Sequence, residues 1–361
     1  MSVHARLSEL RALMTADPSA SAWQNLINAL DVWPNDKSLE LALDYAEQHL
    51  SHWPDRLRWA PWPWWDNARH GRPGPRWRLV RTLGLEGFGK TQTVLSDLEQ
   101  CAHLQAITTL DMGHMRLNSH HLKQIARNAR LSNLRELDLS HNLIGDDEAL
   151  WYHLKYSEPL QQLTHLHMRA NPLGEPGGVA VARSRFAPHL EGVNLRETGL
   201  GPQSMEALAA GLGPELRTLE LSGNPAIRDD GIQALAQTST ALGITALHLN
   251  NCNLGPKGLE ALLKAPMLQS VVWLDLCGNS IGVKGARLLG QRLGKLPSLK
   301  RLSLMSSRMG PQGAVALADS PHLGGLEQLD VRFRDIGREG ARALAQAPAL
   351  NNTVRAAWSW A

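Results

Sequence analysis

The stretch from Gly84 to Thr91, GLEGFGKT, holds the residues most capable of chemistry by type and spacing alone. Gly84, Gly89, Lys90 and Thr91 match the pattern GxxxxGK[ST] of a phosphate-binding loop, after an expected strand and before an expected helix. Such a loop cradles phosphates with backbone N–H groups converging on a helix start, and its lysine meets the negative charge. Nucleotide binding there also requires a separate parallel sheet and an acidic strand that holds a metal ion. Neither is evident, because everything downstream is one repeating pattern. Elsewhere the chemistry is sparse. Cys101 and His103 sit in a helix-to-strand turn at a spacing that does not aim one at the other, and there is no Ser-His-Asp context or HExxH helix. The expectation is a protein that is not an enzyme and carries no cofactor.

The elements that position these residues recur along the chain. An apolar strand pattern, LxxLxL, begins at Val80, Ile107, Leu134, Leu163, Leu190, Leu216, Ile244, Val271, Leu299 and Leu326, with 26 to 29 residues between starts. Clear copies read LRELDLSHNLIG, ITALHLNNCNLG and VVWLDLCGNSIG. Each is followed by a turn rich in glycine and by a small-residue helix such as GARLLG or GAVALA. No such unit can bury its own apolar stripes, so each needs neighbours of the same kind. Asn142, Asn171, Asn224 and Asn279 share one register position, where a buried amide can bond the backbone of neighbouring turns. Cys252 stands at that position in its own repeat. Pro202, Pro256 and Pro311 suit a first helical position. Helices are about 10 Å wide and strands about 4.8 Å apart, so stacked units should curve with the strands on the concave face.

On these motifs residues 80–361 resemble leucine-rich-repeat proteins of the ribonuclease-inhibitor-like class, which also includes the Ran GTPase-activating protein and the sensor regions of NLR-type immune receptors. The resemblance implies an α/β leucine-rich-repeat solenoid: a curved horseshoe with parallel strands on its concave face, helices on its convex face, and about ten repeats. It carries over an architecture and not a particular partner. By analogy with the Ran protein, regulation of a small GTPase is the alternative to plain protein binding.

Within each strand the third, fifth, seventh and eighth positions should face outward. Trp273 and Arg301 then become lateral neighbours, with Asp275, Cys277, Met305, Asp330, Arg332 and Phe333 on the same side. Exposed Trp and Arg beside Met and Phe are what a protein-binding hot spot is made of. Arg169 and Arg196 should also adjoin, ready for a carboxylate-rich ligand or for Glu197 and Glu220. Glu136 should neighbour His165, and Asp138 should neighbour His167. Such pairs suit zinc by type, but side chains abreast on a flat sheet do not converge tetrahedrally, so no metal is expected.

Residues 1–77 differ. Eight of the twelve tryptophans precede residue 80. Helices are expected over Val3–Ala16, Ser19–Trp33 and Lys37–Trp53, with Asp36 as an N-cap of the third. Segment 56–77 interleaves Trp59, Trp62, Trp64 and Trp65 with Arg56, Arg58, Arg69, Arg72 and Arg76. It is readable as a second recognition loop or as a cover for the open end of the array. The domains are therefore expected as 1–77, a helical Trp-rich module, and 78–361, the repeat domain. The final LNNTVRAAWSWA should be a capping strand closed by Trp358 and Trp360. With 43% hydrophobic residues, 20% charged, a net charge of +3 and three cysteines, the chain gives no pointer to nucleic acid, membrane or disulfides. The N-terminus lacks a continuous apolar run, and a cytoplasmic protein is expected.

Overall fold

The computed structural model describes residues 2–87, 89–145, 147–237 and 243–358. Two compact units emerge: Met1–Arg116 with Gln124–Leu139 and Glu158–Leu163, and Leu117–Lys123 with Ser140–Ser157 and Thr164–Ala361. The first holds strands β1 (Thr82–Gly84), β2 (Thr109–Asp111) and β3 (Glu136–Asp138). The second holds β4 (His165–His167), β5 (Gly192–Asn194), β6 (Thr218–Glu220), β7 (Ala246–His248), β8 (Trp273–Asp275), β9 (Arg301–Ser303) and β10 (Gln328–Asp330). Within each unit every strand pairs in parallel with the next, and a helix returns the chain between them. The register is that of the sequence repeat: Leu83 faces Leu110 and Leu110 faces Leu137, as Leu247 faces Leu274 and Leu274 faces Leu302. Those leucines are fully buried. The fold is the expected α/β leucine-rich-repeat solenoid.

The asparagine ladder of the second unit explains how its turns stay in step. Asn279 Oδ1 accepts the N–H groups of Cys252 (3.1 Å) and Leu254 (2.9 Å), while its Nδ2 donates to the carbonyls of Leu249 (2.7 Å) and Leu276 (2.9 Å). Asn224 repeats this on Thr198, Leu200, Leu195 and Leu221. In the intervening repeat the Cys252 thiol donates to the Leu221 carbonyl at 3.3 Å, and burial pushes its pKa up to about 12. One amide thus satisfies four main-chain groups that would otherwise be buried without partners.

Position eight of nine repeats takes a left-handed backbone: Gly87, His114, His141, Ala170, Glu197, Gly223, Asn251, Gly278 and Ser306 all have φ between 54° and 79°. Ala170 is the poorest fit, at φ 54°, since it has neither glycine's freedom nor a polar side chain to bond locally. Ala170→Gly should therefore raise stability, by about 0.5 kcal/mol once the extra freedom of an unfolded glycine is set against the relieved strain. A urea melt should show a higher midpoint with unchanged slope.

The first unit contains residues 1–77. Helices Val3–Met14, Ala20–Asp31 and Lys37–Leu50 lie close to their expected positions, and Asp36 caps the third through the Ser38 N–H at 2.8 Å. Trp59 bridges in parallel to Thr82, and Ala60 N–H donates to the Thr82 carbonyl at 2.9 Å. The Trp-rich segment thus continues the sheet along the outer edge of β1, which would otherwise present unpaired main-chain groups. The compact unit that holds this segment runs on through β3.

One expectation is corrected at the other end. Asn352–Ala356 is a short helix and not a capping strand. Asn351 caps it by accepting from Val354 N–H at 2.9 Å, and its Nδ2 donates to the Leu326 carbonyl at 2.5 Å. Asparagine before a run with two alanines favours helix initiation over strand. Trp358 is buried, and Trp360 lies outside the described residues.

Candidate partner-binding face

Strands β7 to β9 bring three outward side chains together. Trp273 pairs in register with Arg301, whose guanidinium carbon lies 5.9 Å from the indole centroid. From β7 the His248 ring meets Trp273 edge-on, with centroids 4.5 Å apart and planes at 81°. Leu274, next in the strand, is fully buried, and period-two alternation turns Trp273 the other way. The indole nevertheless keeps 38% of its surface open to solvent. An imidazole edge on one flank and a cation on the other hold a large apolar ring in a defined pose.

The charged neighbours sort into committed and uncommitted groups. Asp275 Oδ1 accepts the Cys277 N–H at 3.0 Å. Burial, and then the hydrogen bond to Asp275, pushes the Cys277 thiol up to about 12. Asp330 accepts from Ser303 Oγ at 2.7 Å and from Gln328 Nε2 at 3.0 and 2.9 Å. Asp111, Asn194 and Glu220 each accept the N–H two residues on, as Asp275 does. The fifth position is thus a strand-ending cap, a role that sequence reading missed although the recurrence of Asp, Asn and Glu there was its signal. Arg301 carries no ion pair among the described residues, and Arg332 reaches only Ser306 Oγ, at 3.4 Å. Met305 is half-buried, and Phe333, 43% exposed, opens the helix Phe333–Gln346 instead of forming a left-handed turn.

Arg169 and Arg196 meet over Glu197. Arg196 Nε donates to Glu197 Oε1 at 2.9 Å, and Arg169 Nη2 lies 3.8 Å from Oε2. The Arg196 hydrogen bond holds the Glu197 carboxyl below its ordinary range. His165 lies against Gly192, where an added Cβ would come within 2.6 Å of the ring. Among the described residues no group of three His, Cys, Asp or Glu side chains could hold a metal ion.

The Gly84–Thr91 segment has the strand–loop–helix context of a phosphate loop but is occupied with other bonds. Gly84 ends β1, Gly89 has φ 118°, Lys90 is the exposed N-cap and Thr91 opens the helix Thr91–Gln100. Thr91 Oγ1 donates to the Met115 carbonyl at 2.8 Å. Beside the loop, burial raises the Asp111 pKa, with the charges of Asp138 and Glu86 adding to it. Phe88 lies outside the described residues. Cys101 is buried with its thiol on the Ala68 carbonyl, and burial raises its pKa, which removes thiolate reactivity.

The Trp and Arg residues of 56–77 mostly face inward. Arg58 is buried on the carbonyls of Leu79 and Leu50, and burial lowers its pKa to about 10. Arg76 donates to the carbonyls of Leu30 and Trp33, and Arg69 pairs with Asp66 and Asp97 at 2.7 Å each. Trp64, Trp65 and Trp77 are buried, whereas Arg56, Trp62 and Arg72 remain exposed.

Comparison with known proteins bears on the repeat architecture. The Leucine Rich repeat family profile matches residues 130–147, 215–236, 244–263 and 295–318. Over 197 residues the chain is 31% identical to ribonuclease inhibitor of Sus scrofa, covering 45% of this chain and 43% of that protein. It is 30% identical over 185 residues to the NACHT, LRR and PYD domains-containing protein 12 of Mus musculus, covering 49% and 18%. The matches therefore span less than half the length of these relatives. Among solved structures, the yeast Rad7 and Elc1 complex aligns over 92% of this chain and 88% of the matched chain, at 16% identity and a TM-score of 0.46. No described helix is long and apolar enough to cross a membrane. The chain carries leucine-rich repeats, and these matches support the ribonuclease-inhibitor-like class.

Proposed function

We propose that this protein is a non-catalytic interaction scaffold, an adaptor, and that a protein partner seats on the strand face around Trp273. The observation that carries the reading is the pose of Trp273: large, more than a third exposed, and fixed between His248 and Arg301. A folded protein gains little by ordering such a ring in water, and buried Trp and Arg dominate the energetics of protein interfaces. Repeat arrays present extended surfaces suited to this use. In this reading Met305, Arg332 and the exposed Phe333 extend the surface, and Arg169 and Arg196 add a second basic point. Asp275 caps its own strand end, and Asp330 is held by Ser303 and Gln328, so both contribute less as free charges. No observation favours nucleotide binding at Gly84, Gly89, Lys90 and Thr91, and GTPase regulation rests on fold analogy alone.

Affinity capture from the protein's native extract tests the reading. The wild type should recover a defined partner, and Trp273→Ala with Phe333→Ala should lose it while keeping the wild-type circular dichroism spectrum. Equal recovery by a folded variant removes the strand face from the proposal.

A further inference from the structure

We infer that the helix side of the second unit carries a separate docking groove for an acidic peptide segment with apolar side chains. The groove lies beside the helix Glu148–Lys155 and against the helix Gly174–Ala182. It comprises two cavities of about 510 and 910 Å³ that share Lys155, Val179, Arg183 and Gln203. Two of the chain's three tyrosines wall one end: Tyr152 is 62% exposed, Tyr156 is 43% exposed, and their rings lie 4.6 Å apart. An exposed aromatic pair beside Val179 and Ala180 gives an occupant apolar surface to bury.

The charges choose among occupants. Lys155 stacks on Tyr156, its Nζ 4.9 Å from the ring centroid, and neither Lys155 nor Arg183 has an ion pair among the described residues. The acidic residue at the same end, Glu175, is spent on structure. Its oxygens accept the N–H groups of Gln203 (3.2 Å) and Ser204 (2.6 Å) and the Ser204 hydroxyl (2.5 Å), capping the helix Pro202–Gly211. Glu206 borders only the larger cavity. The tyrosine end therefore offers two cations with no ion-pair partner among the described residues, next to aromatic rings, a match for a chain bearing carboxylates and apolar side chains. A second copy of this protein is the competing occupant.

The test uses the full chain and a short fluorescein-labelled peptide of alternating Glu and Leu, with counterparts in which Gln or Lys replaces Glu. Anisotropy should show saturable binding of the Glu peptide, with the Gln and Lys peptides weaker by about tenfold or more. Lys155→Glu with Arg183→Glu, or Tyr152→Ser with Tyr156→Ser, should weaken the Glu peptide by about tenfold or more, while Trp273→Ala leaves it unchanged. Because these sites are exposed or half-buried, unfolding midpoints should stay near wild type. No saturable binding, equal binding of all three peptides, or indifference to both double variants overturns the inference. So does loss of binding in Trp273→Ala alone, which would assign the peptide to the strand face, or a dimer in sedimentation that the tyrosine variants dissociate.

Discussion

Asn279→Ala should destabilise the second unit by about 4 kcal/mol. The amide is 1% exposed and bonds four main-chain groups: two N–H donors in the loop after β7 and the carbonyls of Leu249 and Leu276. Alanine fills none of these roles and leaves a void too small for water to repair well. Each buried polar group left unpaired costs about 1–3 kcal/mol, and relaxation of the loop recovers part of the sum. The damage should stay local at first, because repeats depend on their nearest neighbours. Hydrogen exchange should therefore accelerate most at Cys252 and Leu254, the two amides whose acceptor disappears. Uniform acceleration across the unit, or a loss below about 1 kcal/mol, would contradict the ladder's role.

Trp65→Ala should cost the first unit about 3–5 kcal/mol, and Trp62→Ala less than about 1 kcal/mol. The two residues stand three apart in one short helix, Trp62–Arg69, yet differ in surroundings. Trp65 is 1% exposed and stacks on Trp77, with centroids 6.2 Å apart, while Trp77 Nε1 donates to the His103 carbonyl at 2.9 Å. Through Trp77, Trp65 is tied to the repeats of the same unit. Trp62 is 42% exposed under the Arg69 guanidinium at 5.5 Å, where a cation–π contact contributes about 0.5–1 kcal/mol. Paired thermal melts separate the two readings of segment 56–77. A structural cover predicts the large asymmetry, and similar small losses would restore the recognition loop.

The repeats were legible because period and register both lie in the chain. LxxLxL fixed which leucines face inward, and the pairing of Trp273 with Arg301 followed from counting along two strands. The asparagine ladder was legible for the same reason, including the substitution by Cys252. The position-five carboxylates were not legible as caps. A sequence shows that Asp275 points outward but not that its carboxylate turns back to its own backbone. The left-handed eighth position escaped notice because residues as unlike as His141, Ala170 and Ser306 occupy it. The arginines of 56–77 were readable as part of a recognition loop because composition does not reveal that Arg58 and Arg76 spend their donors on main-chain carbonyls. The terminal helix was misjudged by extending the strand pattern past its last full repeat, although Asn351 before Val354 and two alanines carried a helix-start signal.

If Trp273 anchors a protein partner, removing its ring should weaken that complex. Titration calorimetry of the captured partner against wild type and Trp273→Ala tests it most directly. The variant should bind at least about 30-fold more weakly, equivalent to about 2 kcal/mol, with an unfolding midpoint unchanged from wild type. Equal affinities for the two folded proteins would contradict it.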